Sequence, residues 1–472
     1  MLRSIRARTL CVIPLTAALL VACNSTDSGT GPVPVGDATI ATNITADRTF
    51  RAETTYTISG FIQVTNGATL TIEPGTRIVG DFDVLGSSLF ITRGAKINAN
   101  GTAAAPIVFT SERAPGVRQA GDWGGLVIIG NGLINRASPV ILEGTGTGVT
   151  NPTQEYSGGN NNADNSGTLR YVRVEFAGYA SATDAELNSF TFAAVGSGTT
   201  MEYLEALYGL DDAFEFFGGA VDAKYLVAYE PGDDAFDMSE GYSGRLQYLI
   251  SYLSSKVNNR PGAGNASNDP QSIENDGCNG TGCTAGQNST PFTTPVVANF
   301  TIIGPGAGTD VDATSGGYGA ILRRGTGGYY VNGLIARFPK GAIGLRDSTT
   351  TKVRITDGIF DMRNVLVVET PSIFTTASAG FVLTDSVARN ITRDGAATTA
   401  SQFSTFTMPA TTTSSFDWTP AAGSLIATGG LTTFSGNMAT AAGTFVLGTA
   451  YRGAAAPGGT KWWAGWTYYA KN

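Results

Sequence analysis

Histidine does not occur anywhere in this chain of 472 residues. That single absence removes Ser-His-Asp triads, Cys-His pairs, imidazole acid/base chemistry and histidine metal ligands. Cysteine is scarce, with 4 residues, and charged side chains make up only 14% of the sequence. No stretch after Cys23 keeps a 3.6-residue apolar period for long, so helices are not expected to dominate. Carboxylates, arginines, lysines and tyrosines must carry whatever chemistry there is.

What remains is ample for a folded body. Hydrophobic residues reach 42% despite 62 glycines, which excludes a disordered chain. Runs of four to six residues with β-branched or aromatic alternation recur, each closed by Gly or Asn-Gly, and predict an all-β fold. The formal net charge is −8. Such a surface repels nucleic acid, so none is expected as a partner.

The first 22 residues read as a secretion signal: Arg3, Arg6 and Arg8 precede an apolar run from Leu10 to Ala22 that is too short to span a bilayer. Leu20-Val21-Ala22-Cys23 resembles the lipobox of bacterial lipoproteins. The resemblance implies that Cys23 is lipidated and becomes the new N-terminus, anchoring the chain in a membrane by its acyl chains. Residues 23–45 then read as a small, polar tether, with the folded part beginning near Ala46. Cys278 and Cys283, five apart across a Gly-rich stretch, suit a small disulfide loop in an oxidising compartment, with two-thiolate metal binding as the other reading.

Internal repeats organise the rest. Leu70 and Leu89, Ile72 and Ile91, Gly75 and Gly94, and Ile78 and Ile97 are each 19 apart. Tyr203 and Tyr225, Asp211 and Asp233, Asp212 and Asp234, Phe214 and Phe236, and Gly219 and Gly241 are each 22 apart. A unit of that size cannot bury its own apolar face, so coils must stack. Equivalent residues would then lie about 4.8 Å apart. Fourteen to eighteen coils are expected, a rod of roughly 65–85 Å.

These segments resemble the right-handed parallel β-helix proteins of the pectin-lyase-like architecture. More narrowly, Gly121-Asp122-Trp123-Gly124-Gly125, Val195-Gly196-Ser197-Gly198, Asp211-Asp212-Ala213-Phe214-Glu215 and Trp463-Ala464-Gly465-Trp466 are similar to stretches of a group of bacterial surface or secreted lipoproteins. The fold expected is a β-helix over 46–370, with terminal coils and a C-terminal cap over 371–472. Trp462, Trp463, Trp466, Tyr468 and Tyr469 form an aromatic cluster that reads as a cap over the last coil. A sugar-stacking platform is the alternative.

Asp211, Asp212 and Glu215 fall one coil from Asp233, Asp234 and Asp237. Two carboxylates at one strand spacing repel by about 1 kcal/mol in water and several-fold more where the effective dielectric is lower. Calcium, which takes hard oxygen ligands, would offset this, making these six acids candidate calcium ligands. A shared proton on a catalytic pair would also do so, and turn residues whose side chains cap backbone amides are the plainer reading. Glu274, Asn275 and Asp276 are placed as a further wall. Arg323, Arg324 and Arg346 are the main basic feature, with Arg324 and Arg346 again 22 apart. β-Helix uronate lyases pair bound Ca²⁺ with an arginine base, which makes Asp212, Asp234 and Arg324 candidate catalytic residues. The β-helix polygalacturonases use a Gly-His-Gly element that this chain cannot contain.

The sequence reading is an outer-membrane or cell-surface lipoprotein that displays or binds polysaccharide or another surface partner without catalysis, ordered by calcium. A polysaccharide lyase or glycosidase is the first alternative, and a structural spacer without ligand the second.

Overall fold

The computed structural model describes residues 36–147, 151–182, 185–306, 316–406 and 416–470. The signal segment, Cys23 and the first part of the tether lie outside the described residues. Gly36–Ile40 already pairs in parallel with Thr54–Ile58, so the coil starts inside the stretch read as tether.

The early coils have three faces. Arg48–Phe50, Thr69–Ile72 and Lys96–Asn100 stack on the first, Thr54–Ile58, Arg77–Gly80 and Ile107–Ser111 on the second, and Phe61–Val64, Ser88–Ile91 and Gly125–Ile129 on the third. From Gly167 onward the first two faces merge into long strands such as Gly167–Glu175 and Thr200–Leu207. Each long strand bends at one left-handed residue. The bend is Tyr171, Tyr203, Tyr225 and Tyr248 in successive coils, and Asn299, Asn332 and Asn364 above them.

A left-handed conformation is strained for tyrosine and easier for asparagine. The tyrosines offset the strain by stacking, with ring centroids 4.3, 4.4 and 5.0 Å apart up the column. The third face continues through Phe190–Ala193, Phe214–Phe217, Phe236–Ser239, Ile273–Asp276, Tyr318–Arg323 and Gly341–Leu345.

The interior is a single apolar column. Phe190, Phe214 and Phe236 stack within it at 5.1 and 5.6 Å. Alternation along the third face turns these rings inward and sends Thr191, Glu215, Asp237 and Glu274 outward in one column.

The path through the second face holds twelve strands, ending at Ile391–Asp394. At about 4.8 Å per level that is a rod of about 53 Å, shorter than expected because long insertions and the C-terminal segment leave the coil. The 19-residue repeat is not the coil register: Leu70 stacks on Ile97, and Leu89 on Ile62. What repeats is a strand followed by a two-residue turn closed by a left-handed Gly75 or Gly94, at the first-to-second and third-to-first corners of the coil. The 22-residue spacing is a true coil period, since Phe214 pairs with Phe236.

The aromatic cover also sits elsewhere than the last coil. Phe381 and Leu383, within 371–390, reach the interior column near that coil. The C-terminal segment instead runs back along the flank of the long strands. Trp466 meets Tyr171 and Tyr203 edge-on, Tyr469 meets Tyr229, and the Tyr468 amide donates to the buried Glu205 carboxylate at 2.9 Å. Beyond the bend these strands are buried throughout, as at 204–207 and 226–229, whereas the stretch before it stays half-exposed.

Phe214→Ala removes the middle ring of the interior stack and is expected to cost about 3–5 kcal/mol in urea unfolding. A loss below about 1 kcal/mol would contradict this packing.

Candidate metal centre

The outward column of the third face opens into a trough. Its floor is Glu215, Asp237 and Glu274, brought into line by parallel pairing. Its near edge is the corner before each strand, where Asp211 and Asp212 lie one coil below Asp233 and Asp234. Insertions supply the walls. Glu143 comes from the long loop after Gly125–Ile129, Glu186 from the hairpin Tyr179–Ala182 and Ala185–Leu187, and Asn265, Ser267 and Asp269 from the loop after Arg245–Tyr252. The cavity measures about 340 Å³, and its lining carries ten carboxyl groups and one arginine, Arg323.

Turn chemistry accounts for part of the acid repetition. Asn188 accepts the Asp212 amide at 3.1 Å, Asp212 accepts the Asp234 amide at 2.8 Å, and Asp234 accepts the Gln271 amide at 2.5 Å. Each Asx side chain thus caps the next coil through its Oδ1.

The remaining oxygens converge. Carboxylate atoms of Asp211, Asp212 and Asp233 lie within 4.8 Å of one another, as do those of Asp212, Glu215 and Asp237, and those of Asp234, Asp237 and Glu274. Asp212 belongs to the first two triads and Asp237 to the last two. The Oδ1 atoms of Asp233 and Asp237 are buried without a hydrogen-bond partner among the described residues, an arrangement that costs free energy unless a cation or proton satisfies it. All donors are hard oxygens without sulfur or nitrogen, which suits Ca²⁺ or Mg²⁺ over softer metals.

The electrostatics agree with that geometry. Burial first, and then the charge of Asp233, pushes the Asp211 carboxyl up; burial and then Asp211 does the same to Asp212. Burial with Glu143 raises Glu215, and burial with Glu274 raises Asp237. Burial lifts Glu143 to about 8 and Glu274 to about 7.

Of the further wall predicted from sequence, Glu274 lines the trough. Asn275 turns inward and bonds the Tyr330 hydroxyl, and Asp276 lies just beyond, held by Arg323 and Arg324. Arg324 is therefore ion-paired, not free. Arg346 stacks above Arg323, not above Arg324, because Leu322 pairs with Leu345 and the coil there is 23 residues long. Glu143, Glu186 and Asp269 escaped the sequence reading, since they lie on insertions outside any repeat. Cys278 and Cys283 form a disulfide, which disposes of the two-thiolate metal reading.

A neighbouring cavity of about 390 Å³ shares Glu143, Glu215, Asp237 and Glu274 with the trough. Its far side is a buried set in which Tyr156 donates to Glu240, and Arg136 donates to the same carboxylate at 2.5 Å. Together the two cavities make a continuous groove across the third face.

Parallel stacked strands around one apolar column, with an open charged face, define a parallel β-helix protein. Comparison agrees: a pectate-lyase-like β-helix domain matches residues 42–419, and the chain belongs to that family. The fold is compatible with polysaccharide binding or with an enzyme. No curated protein and no solved structure matches the chain.

The raised carboxyls set a pH dependence. Native groups hold protons that the unfolded chain releases above about pH 4, so without a cation stability falls as pH rises from there through about 7 for Glu274 and about 8 for Glu143. In chelator, the melting temperature is expected to drop between pH 5 and pH 8, and to drop less in Asp211→Asn/Asp233→Asn. A flat or rising profile in the wild type would contradict the electrostatic description.

Proposed function

We propose that the trough holds a row of divalent cations, calcium by the chemistry of its donors, and that these ions bind an acidic polysaccharide to the groove without turning it over. The observation that carries this reading is the overlap of three carboxylate triads through Asp212 and Asp237, in a cavity lined by ten carboxyl groups and one arginine. Asp211, Asp212, Glu215, Asp233, Asp234 and Asp237 act as ligands, joined by Glu274. Calcium spanning protein and sugar carboxylates gives an acidic groove a way to hold an acidic chain that it would otherwise repel.

The lipobox-like Leu20-Val21-Ala22-Cys23 supports an address on the cell envelope. Lipid at Cys23 anchors the chain in the outer membrane, and the β-helix projects from it as a rigid binding body. Membrane-fraction labelling with a palmitate analogue is expected for the wild type and lost in Cys23→Ser; equal labelling in both would remove the anchor from this reading.

A lyase built on Asp212, Asp234 and Arg324 is the rival reading. Against it stands the pairing of Arg324 with Asp276, which ties up the guanidinium that would have to act as the base.

Thermal unfolding tests the cation claim. Added Ca²⁺ is expected to raise the wild-type melting temperature relative to EDTA, and to leave Asp212→Asn/Asp234→Asn unmoved. Polygalacturonate should be retained on the wild type with Ca²⁺, released by EDTA, and recovered without new chain ends. Retention that ignores EDTA would contradict the bridging role, and new unsaturated ends would replace binding with lyase activity.

A further inference from the structure

A third cavity, of about 420 Å³, lies on the outward side of the long strands, away from the acidic groove. Its floor is Tyr329, Asp361 and Arg363, with Arg389 alongside. Its roof is the returning C-terminal segment around 431–438. That roof is fixed at several points: the Leu431 amide donates to Asn332 at 2.6 Å, Asn364 donates to the Gly429 carbonyl at 2.8 Å, and Asn437 donates to the Gly358 carbonyl at 2.9 Å. The left-handed asparagine column therefore serves as the row of posts that hold the segment over the sheet.

The same segment packs down tightly a few ångströms below, where Met438, Ala442 and Val446 cover Val296, Ala298 and Val331. Over Arg363 and Arg389 it stands off and leaves space. The floor at this level is charged. Both arginines point their Nε at one carboxylate, Arg363 at 2.6 Å and Arg389 at 2.9 Å from Asp361. Two guanidinium charges thus share one counter-charge, in a chain of net charge −8. The Arg363 Nη atoms make no hydrogen bond among the described residues, and Arg389 spends only one, a 3.3 Å bond to the Val382 carbonyl.

We propose that this cavity is a binding site for a small hydroxylated carboxylate, a sugar acid in chemical class. The unspent guanidinium edges of Arg363 and Arg389 meet the carboxylate as a planar fork. The hydroxyls of Thr433 and Ser435 face the ligand's hydroxyl groups, and Met438 with the Tyr329 ring supplies the apolar wall. The ligand bridges solenoid and C-terminal segment, so its binding also fastens that segment. The site is independent of the cation trough and stands or falls without it.

Isothermal titration of the full chain with D-glucuronate tests the site, with D-glucose and sodium sulfate as the neutral and anionic controls. Saturable heat is expected for glucuronate, with binding weaker by about tenfold or more for either control, a difference of about 1.4 kcal/mol. Arg389→Gln and Arg363→Gln should each weaken glucuronate by about tenfold. Arg363→Lys, which keeps the charge and loses the fork, should weaken it as well. Asp212→Asn/Asp234→Asn should bind it as the wild type does. Arg363 is 44% exposed, so its variants are expected to fold, as judged by an unchanged near-ultraviolet spectrum. No heat with glucuronate, equal binding of sulfate, or undiminished binding in the Arg363 variants would overturn the proposal.

Discussion

Every side chain of a parallel β-helix sits about 4.8 Å from its counterpart in the next coil, and most of this molecule follows from what that spacing does to each residue type. For apolar rings the enforced contact is favourable, and Phe190, Phe214 and Phe236 build the interior from it. Tyrosines gain enough from stacking to tolerate a left-handed backbone at the bend. Asparagines meet the same bend at lower strain and keep their amides for gripping the C-terminal segment. For carboxylates the spacing is repulsive, and the third face places several in register.

That contrast determines how the three faces are used. The long strands of the first two are covered by the returning chain, whose aromatic residues close over their second halves, while the early strands keep an open outer side. The third is covered only in its lower part, where Val140, Leu142 and Tyr156 pack on Phe90, Val127 and Ile129. Above them the insertions stand back and contribute Glu143, Glu186 and Asp269 to the walls. Chain that could have brought arginines to neutralise the acids brings more acids. The accumulated charge calls for a counter-ion from solution, and the proposed calcium row answers that need.

Much of this was legible in the sequence wherever the coil period holds. The 22-residue spacing places Asp211 with Asp233 and Phe214 with Phe236, and the fold class and the six core acids follow from it. Legibility failed where the period is broken. The 19-residue match between Leu70 and Leu89 aligns two corners that share a Gly-closed two-residue turn, so a likeness of local turn chemistry imitates a coil period. Arg346 was assigned one residue out of register, since its coil is a residue longer. The terminal tryptophans read as an end cap because aromatic clusters close open cores, yet the Tyr171 to Tyr248 column gives them a better surface on the flank. Glu143 and Glu186 reach the trough through insertions whose path no periodicity encodes.

The proposed cation row is open to a direct test by diffraction. Crystals of the full chain grown with terbium, a calcium substitute of strong anomalous scattering, should show difference peaks beside the three triads, with Asp212 and Asp237 each contacting two ions. Peaks confined to the protein surface, with none in the trough, would contradict the metal assignment and leave the stacked acids as protonated residues that cap turns.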